Sequence, residues 1–277
     1  MNQETNSQES KIKFTYDKSG LIDGTIGRIG QLLTHLKLGT LDNMLEDFPE
    51  ENIPKLEERY KDLELEGNIE VYLNHSPLFK NLKRLFEKGR RNNLFARVLF
   101  GIPYTIGQWL GGQITRADSY NPYTETAQVY HPNETVAMHE IGHAEDFDAS
   151  EHPTIRSLIY SIPFIRSKLE WNASKYAMEH MTEDERKQNS KILEPALGTY
   201  LAFDTAETAV NAALLAGATI SSPAISLILN AAPWVGAGLG HLYSRVIKDP
   251  DTNVFISNSK QSYLDEPSGR EPALSTI

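Results

Sequence analysis

The sequence predicts a mainly helical domain with a small β-sheet, an α+β fold that ends in an apolar helical hairpin. Three observations lead to this prediction. Apolar residues recur at helical spacing in several segments of the 277-residue chain. Two short runs, 69–73 and 126–130, have the composition of strands, because the first alternates and the second is rich in β-branched and aromatic residues. Residues 208–244 contain no Asp, Glu, Lys or Arg, which is typical of buried or membrane-inserted helices.

The composition excludes several classes of protein. The chain contains no cysteine, which excludes disulfides, thiol nucleophiles and cysteine-ligated zinc and leaves histidines and carboxylates as metal ligands. A formal net charge of -10 argues against nucleic acid as a partner. The N-terminus is polar and lacks the apolar segment of a secretory signal. We therefore expect a cytoplasmic protein, or one on the cytosolic face of a membrane, and not a secreted protease.

The N-terminal third is predicted to consist mostly of helices. Residues 1–18 are polar, and we expect them to be disordered. A helical region then covers residues 19–97. It begins with apolar positions at helical spacing over 21–38 and continues with two short acidic helices at 41–48 and 53–65, before the strand described above.

Two adjacent segments raise the question of a membrane. Residues 78–97 predict a basic amphipathic helix, and residues 98–114 contain no charge at all. The apolar segment is at the lower limit for a bilayer span, and Pro103 with four glycines disfavours a straight helix. Basic residues beside such a segment favour contact with anionic lipid. A buried core segment next to a solvated basic face explains the pattern equally well.

The predicted domain over residues 98–246 is organised around a helix at 135–147, which contains His139, Glu140 and His143. Residues four apart lie on the same face of a helix, so both imidazoles can bind one zinc ion. Glu140 would lie near the open coordination position, where a carboxylate can take a proton from metal-bound water. Asn133 is predicted to cap this helix.

The predicted strand at 126–130 arrives just before the metal-binding helix. As an edge strand it could bind a substrate backbone by strand addition, as in zinc peptidases with this histidine spacing. A purely structural strand is the alternative.

A catalytic zinc site needs three protein ligands and a water, so a third ligand must be found. Asp146 lies on the same helix, which presents too narrow an arc for three tetrahedral ligands. A compact pattern with glycine and a third ligand at positions 146 and 149 is excluded, because Asp146 and Ala149 occupy them. Glu170, on a second predicted helix, is the preferred ligand, with Glu179 as its rival. Ser174, one turn after Glu170, is predicted to hydrogen-bond to a ligand histidine.

The segment HEIGHA, followed by EWNAS on a second helix, resembles the gluzincin zinc metallopeptidases, in particular bacterial neutral zinc peptidases associated with membranes. The resemblance covers about residues 133–181. It implies a zincin-like fold with His139, His143 and Glu170 as zinc ligands and Glu140 as the general base. Many gluzincins carry an aspartate where this chain has Ser174. Four residues remain open as the group that stabilises the oxyanion: Tyr160, Tyr176, His180 and Tyr200.

The C-terminal region combines a polar helix with apolar ones. Residues 182–185 form a capping box for a helix predicted to end before Pro195. In the apolar region, residues 224–242 are long enough for a tilted membrane span. A membrane-inserted hairpin is one interpretation, and a buried pair of alanine-rich helices is the other. Residues 247–277 are predicted to be a flexible tail.

The sequence as a whole predicts a zinc-dependent metallopeptidase that acts on a peptide or protein substrate. The alternative is a membrane-associated binding or scaffold protein whose zinc site is structural or degenerate. The basic helix, the apolar segments and the replacement of the family aspartate by Ser174 motivate this alternative.

Overall fold

The computed structural model describes residues 11–18, 23–32, 46–160 except 62, 64 and 66, 165–215 and 221–242. The helices are α1 (Ile53–Tyr60), α2 (Leu78–Arg84), α3 (Ile102–Thr115), α4 (Glu134–Asp148), α5 (Pro153–Ile159), α6 (Ile165–Glu179), α7 (Glu183–Leu215) and α8 (Ser222–Leu242). The strands are β1 (Ile12–Tyr16), β2 (Ile69–Leu73), β3 (Ser119–Asn121) and β4 (Thr126–Val129). The fold is mainly helical with a small sheet, as predicted from the sequence.

The four strands form one mixed sheet in the order β1-β2-β4-β3. Strands β1, β2 and β4 run parallel, with Ile12 opposite Ile69 and Glu70 opposite Thr126, whereas β3 is antiparallel to β4. Both central strands are buried along their whole length. Such burial requires cover on both faces of the sheet.

The two faces of the sheet have different chemistry because side chains alternate along a strand. Ile69, Val71 and Leu73 of β2 belong to the apolar core, which also includes Met138 and Ile141 of α4. The opposite face carries polar side chains, of which Glu70 is the most extensively paired. Glu70 accepts hydrogen bonds from Tyr72 at 2.6 Å, Arg84 at 2.8 Å and Lys80 at 2.6 Å. Burial of the sheet therefore depends on a paired polar layer as well as on apolar packing.

The predicted boundary between an N-terminal region and a metal-binding domain does not separate two cores. One apolar cluster joins Ile12, Phe48 and Leu56 to Ala127, Phe147 and Leu193, with other residues between them. The expected disorder of residues 1–18 is wrong for Ile12–Tyr16, which forms an edge strand of the sheet. Its alternating sequence IKFTY is the signal that the polar surroundings obscured.

Other N-terminal predictions are met in part. Asp23–Gly27 is a π-helical turn that continues as α-helix to residue 32, while residues 33–38 lie outside the described part of the chain. The predicted helix at 41–48 is not formed at 46–48, and its first five residues are not described. The helix predicted at 53–65 ends at Tyr60.

The predicted basic helix at 78–97 is wrong in two respects. It breaks after Arg84, because Gly89 has a φ of 80° and Asn93 begins a new helical turn with its side chain accepting from the amide of Ala96 at 2.8 Å. Its arginines also do not form a solvated basic face. Arg84 and Arg97 are buried, and Arg84 Nε donates to the carbonyl of Thr124 at 2.8 Å. These guanidinium groups stabilise loops around the sheet.

The uncharged segment at 98–114 becomes a π-helical turn, Arg97–Gly101, followed by α3. One side of α3 contacts the sheet, since Gln128 Nε2 donates to the carbonyl of Gln108 at 2.9 Å. The other side leaves Ile106, Leu110 and Ile114 exposed. The segment is therefore neither a fully buried core element nor a straight span.

The C-terminal helices form the predicted hairpin with one correction. The capping box is present, because Thr182 N donates to Glu185 Oε2 at 2.8 Å and Glu185 N donates to Thr182 Oγ1 at 3.3 Å. The helix does not end before Pro195 but continues to Leu215. Helix α8 packs along α7, and this contact outweighs the backbone hydrogen bond that a proline removes. Residues 247–277 lie outside the described residues.

Candidate metal centre

Helices α4 and α6 bring the three predicted ligands together. His139 and His143 lie one turn apart on α4, and Glu170 Oε2 of α6 is 3.0 Å from Nε2 of His139 and 3.2 Å from Nε2 of His143. One ligand atom from each residue lies within 4.8 Å of the others, and all three side chains are at least half-buried. The local spacing on α4 and the long-range contact with α6 were both predicted from the sequence.

The two helices can approach because small residues meet where they cross. A Cβ atom on Gly142 would lie 2.3 Å from the carbonyl oxygen of Ala173, so only glycine fits at this position without displacing α6. Asn133 caps the N-terminus of α4 as predicted, since its Oδ1 accepts from the amide of Thr135 at 2.7 Å. Backbone contact between rigid helices thus positions the three side chains.

Ser174 and Tyr160 contact the cluster from outside. Ser174 Oγ is 3.1 Å from Nδ1 of His139, in agreement with the predicted hydrogen bond to a histidine. The hydroxyl of Tyr160 donates to Glu170 Oε1 at 3.3 Å and lies 3.3 Å from Nδ1 of His143. Tyr160, one of the four residues left open for oxyanion stabilisation, therefore contacts the cluster directly.

The charges within the cluster suit metal binding. Burial lowers the pKa of His139, and the neighbouring His143 adds to this effect, so the neutral imidazole that binds metals is favoured. Burial alone would raise the pKa of Glu170. The electrostatic interactions and hydrogen bonds with the two histidines outweigh burial, and the pKa of Glu170 is lowered. Glu170 is thus ionised between two nitrogen ligands.

Glu140 has the opposite electrostatic environment. Burial raises its pKa well above the usual value, and the negative charges of Glu170 and Asp118 raise it further. Its Oε2 atom is buried and has no hydrogen-bond partner among the described residues. A carboxyl group with a raised pKa in such surroundings is suited to accept and release a proton.

The rival ligands Asp146 and Glu179 make other contacts, and so does His180, one of the residues left open for oxyanion stabilisation. Asp146 accepts hydrogen bonds from Arg156 and, at 2.7 Å, from Asn172 Nδ2. Glu179 pairs with Lys175 at 3.7 Å. His180 Nδ1 contacts the carbonyl of Tyr176 at 2.9 Å, and its ring packs on Tyr60, so it does not enter the cluster.

Three residues near the site were missed or left undecided by the sequence. Tyr200 of α7 lies close enough to Glu170 for that charge to raise its pKa, with burial as a second cause. Burial and the charges of Glu140 and Glu170 raise the pKa of Tyr104. Asp118 affects Glu140 as described above. No local pattern could have identified Tyr104 or Asp118, because their positions depend on how α3 and β3 pack on the rest of the fold.

The predicted role of residues 126–130 as an edge strand is wrong. Strand β4 is paired on both sides, with β2 and with β3, so it has no free edge for a peptide. Strand β3 lies at the edge instead. Its carbonyls at Ser119 and Tyr120 accept from Gln108 at 3.0 Å and Tyr104 at 3.3 Å.

Comparison with known proteins found no matching family model, curated protein or solved structure. The similarity to gluzincins at the motif therefore stays a prediction, and the functional argument depends on the geometry of the cluster itself.

Proposed function

We propose that this protein is a zinc-dependent metallopeptidase. The observation that carries the proposal is the convergence of His139, His143 and Glu170. Zinc bound to nitrogen and oxygen ligands at about 2.0–2.1 Å in a tetrahedral arrangement requires ligand atoms roughly 3.3 Å apart. The two distances from Glu170 Oε2 to the Nε2 atoms, 3.0 and 3.2 Å, are close to this value, and the three ligand atoms as a set lie within 4.8 Å of one another.

The number of ligands supports a catalytic site over a closed structural one. Structural zinc sites have four protein ligands, whereas the described residues supply three in this cluster. Zinc held there would lower the pKa of a bound water and polarise a substrate carbonyl. Glu140 would take the proton from the attacking water and deliver it to the leaving amine. Tyr160 would donate a hydrogen bond to the developing oxyanion.

Metal content is the first test. Purified protein should contain about one zinc per chain, and His143→Ala should lose it because two ligands bind zinc too weakly. A native protein free of metal would refute the proposal.

Activity is the second test and separates the peptidase from the alternative of a binding or scaffold protein. Glu140→Gln should keep the zinc and abolish cleavage of a peptide library. Glu145→Gln is a matched control, since Glu145 is a buried carboxyl group on the same helix outside the cluster. A wild type that cleaves no better than Glu140→Gln would favour the scaffold.

A further inference from the structure

The C-terminal hairpin ends in a tip that exposes apolar side chains. We define the tip as residues 208–215 of α7 and 221–228 of the α8 segment. Leu215 is 90% exposed and Leu227 is 71% exposed, and Leu214 and Ile228 are exposed as well. No charged residue occurs in either part of the tip. Water is a poor solvent for apolar side chains, so an apolar environment would stabilise the tip.

The exposed apolar side chains of the tip are not confined to one stripe, and the polar residues Thr208, Asn211 and Ser222 are exposed beside them. Successive residues on a helix point about 100° apart. Leu214 and Leu215 are both exposed, as are Leu227 and Ile228, so each helix is apolar in more than one direction. A protein groove would cover a single stripe, whereas lipid contacts a helix on all sides. This distribution favours a bilayer over a protein partner.

Polar side chains near the tip are compatible with lipid. Asn230 Nδ2 donates to the carbonyl of Ser226 at 2.7 Å and contacts its hydroxyl at 3.1 Å. Thr205 Oγ1 donates to the carbonyl of Leu201 at 2.7 Å. Hydrogen bonds returned to the same helix reduce the cost of leaving water.

Length and composition would allow α8 to cross a membrane. The window Ser222–Leu239 is apolar enough, and only 11% of it is buried, unlike the core helix of a soluble protein. The contact with α7 nevertheless limits the depth of insertion. A Cβ atom on Gly236 would lie 2.1 Å from the carbonyl oxygen of Gly198, so the two antiparallel helices touch at that point. Ser222 therefore lies level with about residue 212 of α7.

A group of ion pairs lies on the part of α7 that packs beside α8, between Gly198 and about residue 212. Asp204 is buried and accepts from Arg166 Nε of α6 at 3.0 Å, and Glu207 pairs with Arg166 at 3.1 Å. If α8 crossed the bilayer, these charges would enter hydrocarbon at a high cost. The charge-free part of α7 beyond Glu207 comprises eight residues, or about 12 Å of helix. That length is less than one leaflet, roughly 15 Å.

We propose that the tip of the α7–α8 hairpin anchors the protein in one leaflet of a lipid bilayer without crossing it. The Arg166–Asp204 pair then lies at or above the membrane surface. Glu170 follows Arg166 by one turn of α6, about 6 Å, so the metal cluster is held close to that surface. This inference does not rest on zinc or peptidase activity.

The absence of cysteine makes the test direct. Leu215→Cys in the full chain is labelled with an environment-sensitive fluorophore and mixed with vesicles of phosphatidylcholine and phosphatidylglycerol. The label should shift to shorter wavelength and be quenched by nitroxides in the outer leaflet. It should stay inaccessible to a reductant enclosed in the vesicle lumen. The same label at Lys187→Cys, on the polar part of α7, should remain in water.

Two results would overturn the proposal. Access of the enclosed reductant to the label at Leu215→Cys would show that the hairpin crosses the bilayer. An unchanged label spectrum would show that lipid does not cover the tip, and sedimentation would then establish whether a second copy does.

A pair of charge substitutions tests the anchor without a label. Leu215→Asp should lower vesicle binding by at least about tenfold, because an apolar contact is replaced by a charge in hydrocarbon. Phe79→Asp, at an 85% exposed position on α2, is the matched control and should bind like wild type. The opposite result, with binding lost only in Phe79→Asp, would assign lipid contact to the α2 surface and refute the anchor.

Discussion

Ser174 Oγ lies 3.1 Å from Nδ1 of His139, on the side of the imidazole away from the nitrogen that faces Glu170. A hydrogen bond at Nδ1 fixes the tautomer that leaves Nε2 free for a metal. The hydrogen bond predicted from the sequence is therefore made by a neutral hydroxyl group.

Ser174→Ala should weaken zinc binding by about tenfold, since His139 loses the group that orients it. Ser174→Asp should bind zinc at least as tightly as wild type, because a carboxylate is a stronger acceptor. Competition with a chelator measures both affinities, and thermal unfolding of the metal-free variants checks their folding. Equal affinities for Ser174→Ala and wild type would mean that the contact does not orient the ligand.

Tyr160→Phe should retain the zinc and lower kcat by about a hundredfold or more, the usual effect of removing one oxyanion donor. Zinc analysis and steady-state kinetics measure the two effects. Tyr176→Phe is the control, because Tyr176 belongs to α6 but not to the cluster. A loss of activity in the control alone would assign the role to Tyr176.

Gly142→Ala should destabilise the protein by about 1–3 kcal/mol and weaken zinc binding, because its Cβ collides with the backbone of Ala173 and separates α4 from α6. Chemical denaturation measures the change. Gly107→Ala in α3 is the matched control, since a Cβ there meets no atom within 4 Å. The control should be neutral or stabilising by up to about 1 kcal/mol. Similar destabilisation of both variants would contradict the proposed collision.

Asp118→Asn should remove part of the pH dependence of stability. Burial raises the pKa of Asp118 to about 6 despite hydrogen bonds from the amides of Tyr130 and His131. A folded-state pKa above the unfolded value means that the folded state binds the proton more tightly. The free energy of unfolding therefore falls as the pH rises from about 4 to 6.

Asp118 Oδ1 accepts from the amides of Tyr130 and His131 at 2.6 and 3.1 Å. The side chain in Asp118→Asn keeps an oxygen that can accept from both amides, but it carries no charge. Thermal unfolding between pH 4 and 8 should show a smaller decline than in wild type. Glu151→Gln, at an exposed position, should follow wild type. Parallel profiles for Asp118→Asn and wild type would show that Asp118 does not cause the decline.

The elements that the sequence predicted best are those specified by local spacing. Four-residue spacing placed His139 and His143 on one face, and the cap at Asn133 defined the start of α4. The placement of Glu170 opposite them required one further observation, a second helix whose small residue Ala173 allows close contact. The capping box before α7 was likewise readable from four consecutive residues.

The errors arose where distant contacts decide the structure. Pairing with β2, 57 positions along the chain, orders Ile12–Tyr16, and composition alone gave no sign of that partner. Arg84 was expected in solvent because basic residues are usually exposed. It is buried because its guanidinium group donates hydrogen bonds to Glu70 and to a loop carbonyl. Contact with α8 stabilises α7 in a helical conformation beyond Pro195, although a proline in isolation favours a helix end.

The position of β1 has a consequence for handling the protein. The polar surroundings of residues 11–18 suggest that this segment could be removed. However, β1 pairs with the outer edge of β2, whose side chains Ile69, Val71 and Leu73 belong to the apolar core. Trimming the N-terminus would leave a row of unpaired amides and carbonyls beside these side chains. Such an edge is a template for intermolecular strand pairing, so the shortened chain should aggregate even though its metal ligands are untouched.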